Sequence, residues 1–380
     1  MTDHEYVPIV IGNCAPFRLI LRDEDKWDVT LKDINTMTYD YVKLNRNSTE
    51  IDVDIRPLSL IIGFDGSLIL PNIPPFNNRE GAAFIYNRFL GTLLLGGIYS
   101  EAVHPDDISF GHMIFEGYNY IDGGGHGEIA KFHETIRYKM LSELDIIELY
   151  QPSTITVKEL HAAYKQGRSL YQKLYYLSAN LLLEGISDYV ASNWTQSVIL
   201  LWTAIEQLIN QIWEDQIISK ANHKKRKEFL NDFRTWTAAA KIETLNLLNI
   251  LPSETYQIIN DVRKARNDFM HRIEFIDKQS GDMALEALFH LMSLITSNYT
   301  NTSDHLAIRD MIMERQRGVL YSSKKINKED IKCWHELPPL PGSKQWGDKP
   351  FEIIEELRLQ KLPDNQQQKI QTIKLPKNHE

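Results

Sequence analysis

Arg266, Asn267 and His271 stand close together in the stretch Arg263–Arg272, RKARNDFMHR. An arginine, a carboxamide and a histidine in this order can bind a phosphate, hold it in register and move a proton at neutral pH. The guanidinium is a permanently charged fork that matches phosphate oxygens and steadies charge developing in a transition state. Imidazole has its ordinary pKa near physiological pH, so it can serve as acid or as base. Arg263, Lys264 and Arg272 add positive charge on either side and are the candidate substrate-binding groups.

The element that must carry these residues is a helix over 253–271, with Pro252 at its boundary and Ser253, followed by Glu254, as the expected N-cap. On an ideal helix Arg266 and His271, five residues apart, diverge by about 140°. Arg263, Asn267 and His271 form one stripe, with Arg266 beside it. A single groove collects all four only if the helix ends near His271 or if a second copy of the chain completes the site. The β-like composition of Ile273-Glu274-Phe275, and Gly281 beyond it, place a helix end there. The competing structural reading is a capped helix terminus, in which Arg266 pairs with Asp268 or Glu274 and His271 favours the helix dipole. Upstream, NWTQSVILLWTAIEQLINQIWED reads as a partner helix. Val198, Leu201, Ile205, Leu208 and Ile212 form its apolar stripe, widened by Trp202 and Ile209. Glu206 and Asn210 lie off it. Pairing with Arg263 or Lys241 is the structural role open to Glu206, and tuning His271 is the functional one.

The order R-N-x-x-x-H, late in an all-helical half, resembles the R-x(4–6)-H signature of the HEPN superfamily of nucleotide-binding domains. The phrase LWTAIEQLI, a linker, a Lys-rich helix and then VRKARNDFMHR is similar to the Apea-like HEPN subgroup, over about Tyr171 to Tyr299. The resemblance implies a metal-independent endoribonuclease with Arg266, Asn267 and His271 as catalytic residues. Such chemistry needs a base for the 2′-OH proton, a cation for the pentacoordinate phosphorane and an acid for the leaving 5′-oxygen. The product is a 2′,3′-cyclic phosphate. The resemblance also implies a homodimer with the catalytic pair drawn from both subunits, and a supporting role for Glu206, which matches an acidic position often seen in that helix. Its family setting is toxin or antiviral-defence RNases acting on tRNA or other cellular RNA. Two rivals remain open: a non-catalytic HEPN module that binds a nucleotide or RNA or scaffolds a complex, and an enzyme centred on the N-terminal part.

Composition narrows the rest. A hydrophobic share of 43% and a charged share of 24% are those of an ordinary globular chain. The acidic N-terminus lacks the basic region and apolar run of a signal peptide, and the longest apolar stretches are too short or too interrupted by glycine to cross a bilayer. The expectation is a cytoplasmic protein with no membrane partner. Cys14 and Cys333 stand far apart with no CxxC, and the histidines show no HExxH spacing, so neither metal nor cofactor is expected. The net charge of −9 is uneven: Thr195–Lys325 holds 17 Lys and Arg against 16 Asp and Glu, so the flanks are the acidic parts. That distribution suits an enzyme touching RNA at one small site better than a protein coating a polyanion. The run His223-Lys224-Lys225-Arg226-Lys227 reads first as a solvated helix face and second as a contact to RNA backbone. His126, after three glycines, reads as a turn. Glu101, Asp106 and Asp107 read as solvated loop carboxylates.

The expected architecture is α+β. Residues 1–150 form a mixed β/α domain, a sensor or regulator for some trigger ligand or protein. Residues 151–323 form an all-α HEPN-like bundle, and 324–380 an extended arm rich in Pro, Lys and Gln. Strands are predicted around Trp27–Leu31 and Ile51–Ile55, and a hairpin turns at Asp65-Gly66, a pair that accepts positive φ. A helix follows over Arg79–Tyr99 and a β-like run over 111–121. Helical segments are predicted near 128–148, 157–190, 193–218, 224–250, 253–271 and 281–298, with Asn193 as an N-cap and Gly281 as a separator.

Overall fold

The computed structural model describes residues 6–114, 119–122, 124–138, 145–297 and 302–316, all within one compact unit, Met1–Gly318. The predicted arm, Cys333 with it, lies outside the described residues. In chain order come β1 (Tyr6–Gly12), β2 (Arg18–Leu21), α1 (Leu31–Asn35), α2 (Tyr41–Leu44), β3 (Asn47–Ile55), β4 (Leu58–Gly63), β5 (Leu68–Pro71), α3 (Arg79–Leu95), β6 (Ile108–Ile114), β7 (Asn119–Asp122), α4 (Glu128–Tyr138), α5 (Asp145–Tyr150) and β8 (Ser153–Thr156). Helices then follow one another: α6 (Val157–Lys173), α7 (Ala179–Val190), α8 (Trp194–Trp213), α9 (Lys224–Leu230), α10 (Ala238–Leu247), α11 (Ser253–Arg272), α12 (Lys278–Thr296) and α13 (Thr302–Arg315). The class is α+β.

The sheet has six antiparallel strands in the order β3-β4-β5-β1-β6-β7, and β2 pairs with β8 in a separate parallel ribbon. Alternation along β1 sends Val10 to one face and Ile9 and Ile11 to the other, and all three are buried. The Asp65-Gly66 turn joins β4 to β5 as the sequence predicts, with Gly66 at φ 80. Helix α3 lies on the sheet. Its Tyr86 donates to the Val10 carbonyl at 2.7 Å, and the absence of a side chain at Gly12 lets that ring approach. The same helix meets α6 and α7 where Gly91, Gly96 and Gly167 leave backbone against backbone. One hydrophobic cluster therefore runs without a break from Val10 on the sheet to Ile312 in α13.

Around α8 the helical half is assembled: α7, α10, α11 and α12 all pack against it. Every residue of its predicted stripe is buried, Trp202 and Ile209 included. Each such side chain stabilises by about 1.5–3 kcal/mol, so the missing cap, worth about 1 kcal/mol, is outweighed. Asn193 does occupy the N-cap position, yet its amide bonds to Asp188 and not to the helix.

Several local expectations are corrected. Residues Trp27–Thr30 form no strand. Thr30 and Asp33 make a reciprocal capping box that starts α1 instead, and Trp27 is tied by its indole N–H to the Leu149 carbonyl. Gly281 is no separator but sits inside α12, where it passes close to the Trp194 ring; Asp277 is the N-cap. Ser253 is the first residue of α11, with Pro252 before it at the cap position and no side-chain capping bond. Asp107 is not merely solvated, because its Oδ1 accepts the amides of Ile129 and Ala130 at the start of α4.

Candidate functional site

Helix α11 changes character halfway along. Thr255, Ile259 and Val262 are buried and hold its first half on the bundle. From Arg263 to Arg272 no side chain is fully buried, and only Phe269 packs on the core. The half that carries the motif thus contributes little to the core.

The helix ends at Arg272, one residue past His271, as the composition of the next three residues suggests. Those residues form no strand. Ile273 closes the helix in the left-handed conformation, φ 57, donating its amide to the Phe269 carbonyl. A β-branched residue there is strained by about 1–2 kcal/mol, since glycine is the usual occupant. Met270, Ile273 and Phe275 are all exposed around this end, Phe275 at 90%.

Arg266 donates to the Asn267 side-chain oxygen at 3.1 Å. The carboxylates that could have claimed it are taken by its neighbour: Arg272 lies 3.4 Å from Asp268 and 4.0 Å from Glu274. The helix-terminus reading therefore describes Arg272 and not Arg266, and Arg272 is less free to meet a substrate than its position in the sequence suggests. His271 is exposed in the last turn and makes no hydrogen bond or ion pair with any described residue. Lys264 is exposed, and Arg263 turns back to Asn260 at 3.2 Å. Arg266 and His271 both lie inside α11, so they leave it about 140° apart around the axis, and no hydrogen bond joins them.

Glu206 sits on α8 near Lys241, not Arg263. Burial pushes the Lys241 ammonium down, and attraction to Glu206 partly restores it, while Lys241 donates to Asn210 at 2.7 Å. The polar bridge between α8 and α10 is thus made by Lys241 and Asn210, and Glu206 adds attraction to it without a side-chain hydrogen bond of its own among the described residues. Beside the motif an open groove of about 580 Å³ lies between α10 and α11, lined by Glu243, Asn246, Tyr256, Asn260, Asp261 and Arg263 among others. The Tyr256 hydroxyl donates to Glu243 at 2.8 Å, a bond that holds its own pKa up.

A second constellation, in the N-terminal half, is absent from the sequence reading. Asp65, from the β4–β5 turn, lies within 2.9 Å of His133 and 2.6 Å of Arg137, and accepts from Tyr120 at 2.6 Å. All four side chains are buried. Burial pushes the Asp65 carboxyl up, but the charges of Arg137 and His133 and the hydrogen bonds outweigh it and hold the group well below the usual carboxylate range. Nearby, burial raises the Cys14 thiol to about 12, so it is inert as a nucleophile. The signal in the sequence was His133 and Arg137 one turn apart on α4, opposite a turn aspartate.

Among the described residues no group of His, Cys, Asp and Glu is placed to hold a metal ion, and no helix is long and apolar enough to cross a membrane. Compared with known proteins, the chain matches no family model, no curated protein and no solved structure.

Proposed function

We propose that this chain is a metal-independent endoribonuclease of HEPN type, working as a pair of copies in the cytoplasm. The observation that carries the reading is His271: exposed, unpaired among the described residues, and one helical turn from Asn267, whose side-chain oxygen is held by Arg266. In this reading His271 exchanges protons with the 2′-OH or the 5′-oxygen, Arg266 steadies the phosphorane, and Asn267 keeps one of them in register. Lys264 and Arg263 draw the RNA backbone toward the helix. The divergence of Arg266 and His271 on α11 is the reason a second copy is needed, with the exposed Met270, Ile273 and Phe275 as the apolar part of its seat. tRNA or other cellular RNA as substrate, a toxin or antiviral setting and a trigger acting through the N-terminal half belong to the same proposal.

The test is incubation of purified protein with total cellular RNA in EDTA, followed by analysis of the new ends. The expected result is cleavage that survives the chelator and leaves 2′,3′-cyclic phosphates. Abolition by EDTA with rescue by Mg²⁺ overturns the metal-free mechanism. The same divergence favours one second reading, a HEPN-like module that binds a nucleotide or RNA without cutting it. RNA binding with no cleavage under either condition selects that reading.

A further inference from the structure

We propose that the segment Lys220–Arg234 is a docking surface for single-stranded RNA. The inference rests on the reading of this chain as an RNA-cleaving protein and gives it a second point of contact, on residues outside the motif helix.

Six cations, Lys220, Lys224, Lys225, Arg226, Lys227 and Arg234, face two acids, Glu228 and Asp232. All six are exposed. Within the protein they are barely used. Lys224 lies 3.9 Å from Glu228 with both side chains mostly in water, and Lys220 reaches the Gln216 carboxamide at 3.4 Å. Asp232 spends its carboxylate on the Arg234 amide and the Thr235 hydroxyl. Four of the cations also fill the first turn of α9, where the free amides and the helix dipole are already positive and where His223 supplies no capping bond. Local stability does not account for the run; a polyanion does.

Aromatic rings stand among these charges. Phe233 is 76% exposed with the Arg234 guanidinium over its face at 5.9 Å, and Phe229 is 53% exposed. Cations that track phosphates, together with rings that accept a base, are the elements of a single-strand platform, because only unpaired bases can stack on a side chain. The platform is held at its base. The Trp213 indole donates to the Leu230 carbonyl at 3.1 Å, and the Trp236 ring packs tilted against Trp213 with their centres 4.7 Å apart. A lipid surface also attracts cations and aromatics, but it needs an apolar face to insert. On α9 the aliphatic Leu230 is buried in the bundle, which leaves Phe229 as the one apolar side chain facing out.

The test measures binding of a fluorescein-labelled 20-mer of uridine to the full-length chain by anisotropy in EDTA, from 50 to 200 mM salt. One variant carries Lys224→Gln, Lys225→Gln, Arg226→Gln and Lys227→Gln together, and a second carries Phe233→Ala. The first is expected to weaken binding at least ten-fold and to reduce the slope of log affinity against log salt by about 2–3. The second is expected to weaken it by about ten-fold. Melting temperatures of both should match the parent, since every altered side chain is exposed. Unchanged affinity in both variants overturns the proposal, as does failure of the parent to bind the RNA. Loss of sedimentation with phosphatidylglycerol vesicles in the variants, with RNA binding intact, overturns it in favour of a lipid surface. Binding that depends on these residues in a protein that never cleaves RNA upholds the surface and rejects the nuclease. Cleavage with KM unchanged in both variants upholds the nuclease and rejects the surface.

Discussion

An arginine and a histidine stand together on α4 and again on α11, and the two places differ in what surrounds them. In the N-terminal half Arg137 and His133 are buried and share the carboxylate of Asp65. On α11 Arg266 and His271 stand at the surface, the first bonded only to a neutral carboxamide and the second to no described residue. Residue type does not separate them. A counter-charge and burial turn the first set into architecture, and their absence leaves the second set available to an outside anion.

The comparison can be broken most severely at Asp65. Replacing it by alanine leaves the Arg137 guanidinium buried without its counter-charge and His133 without its partner, and the expected loss is about 3–5 kcal/mol, read as a large fall in denaturation midpoint. A loss below about 1 kcal/mol would mean that water reaches the cluster. Acid should sharpen the same point. Because the folded-state pKa of Asp65 is depressed, its contribution is present at neutral pH and is lost as pH falls below about 4 toward the folded value. The denaturation midpoint should therefore fall increasingly as pH drops below about 4, and less steeply in Asp65→Asn.

Smaller effects are expected at the motif helix. Ile273→Gly relieves the left-handed strain at the end of α11 and should stabilise by about 1 kcal/mol, since Ile273 is largely exposed and surrenders little burial. A destabilising result would show that the exposed side chain is covered, as a second copy would cover it. The smallest effect belongs to Arg266→Ala and His271→Ala, each expected to move stability by less than about 0.5 kcal/mol in thermal melts.

The helical half could be read from the sequence because its signals are local and strong. The period of apolar residues in α8 predicts a stripe that is buried throughout. The motif helix starts and stops within a residue of expectation, and the Asp65-Gly66 hairpin follows from turn chemistry. What could not be read depended on partners distant in sequence. Trp27, Val29 and Leu31 alternate like a strand, but they pair with no strand among the described residues, and a capping box at Thr30 starts a helix. Gly281 reads as a break until the Trp194 ring it accommodates is known. Asp65 meets His133 and Arg137 across some seventy residues, so nothing in the turn announces the ion cluster. At the site, position was readable and partnership was not: Arg272, not Arg266, takes Asp268 and Glu274.

The most direct measurement is RNA cleavage by the parent and His271→Ala proteins, side by side in EDTA, with a melting curve for each. The account predicts cleavage by the parent, a loss of about a hundred-fold or more in the variant, and coincident melting curves. A variant that cuts at the parental rate, or a parent that cuts no RNA at all, contradicts it.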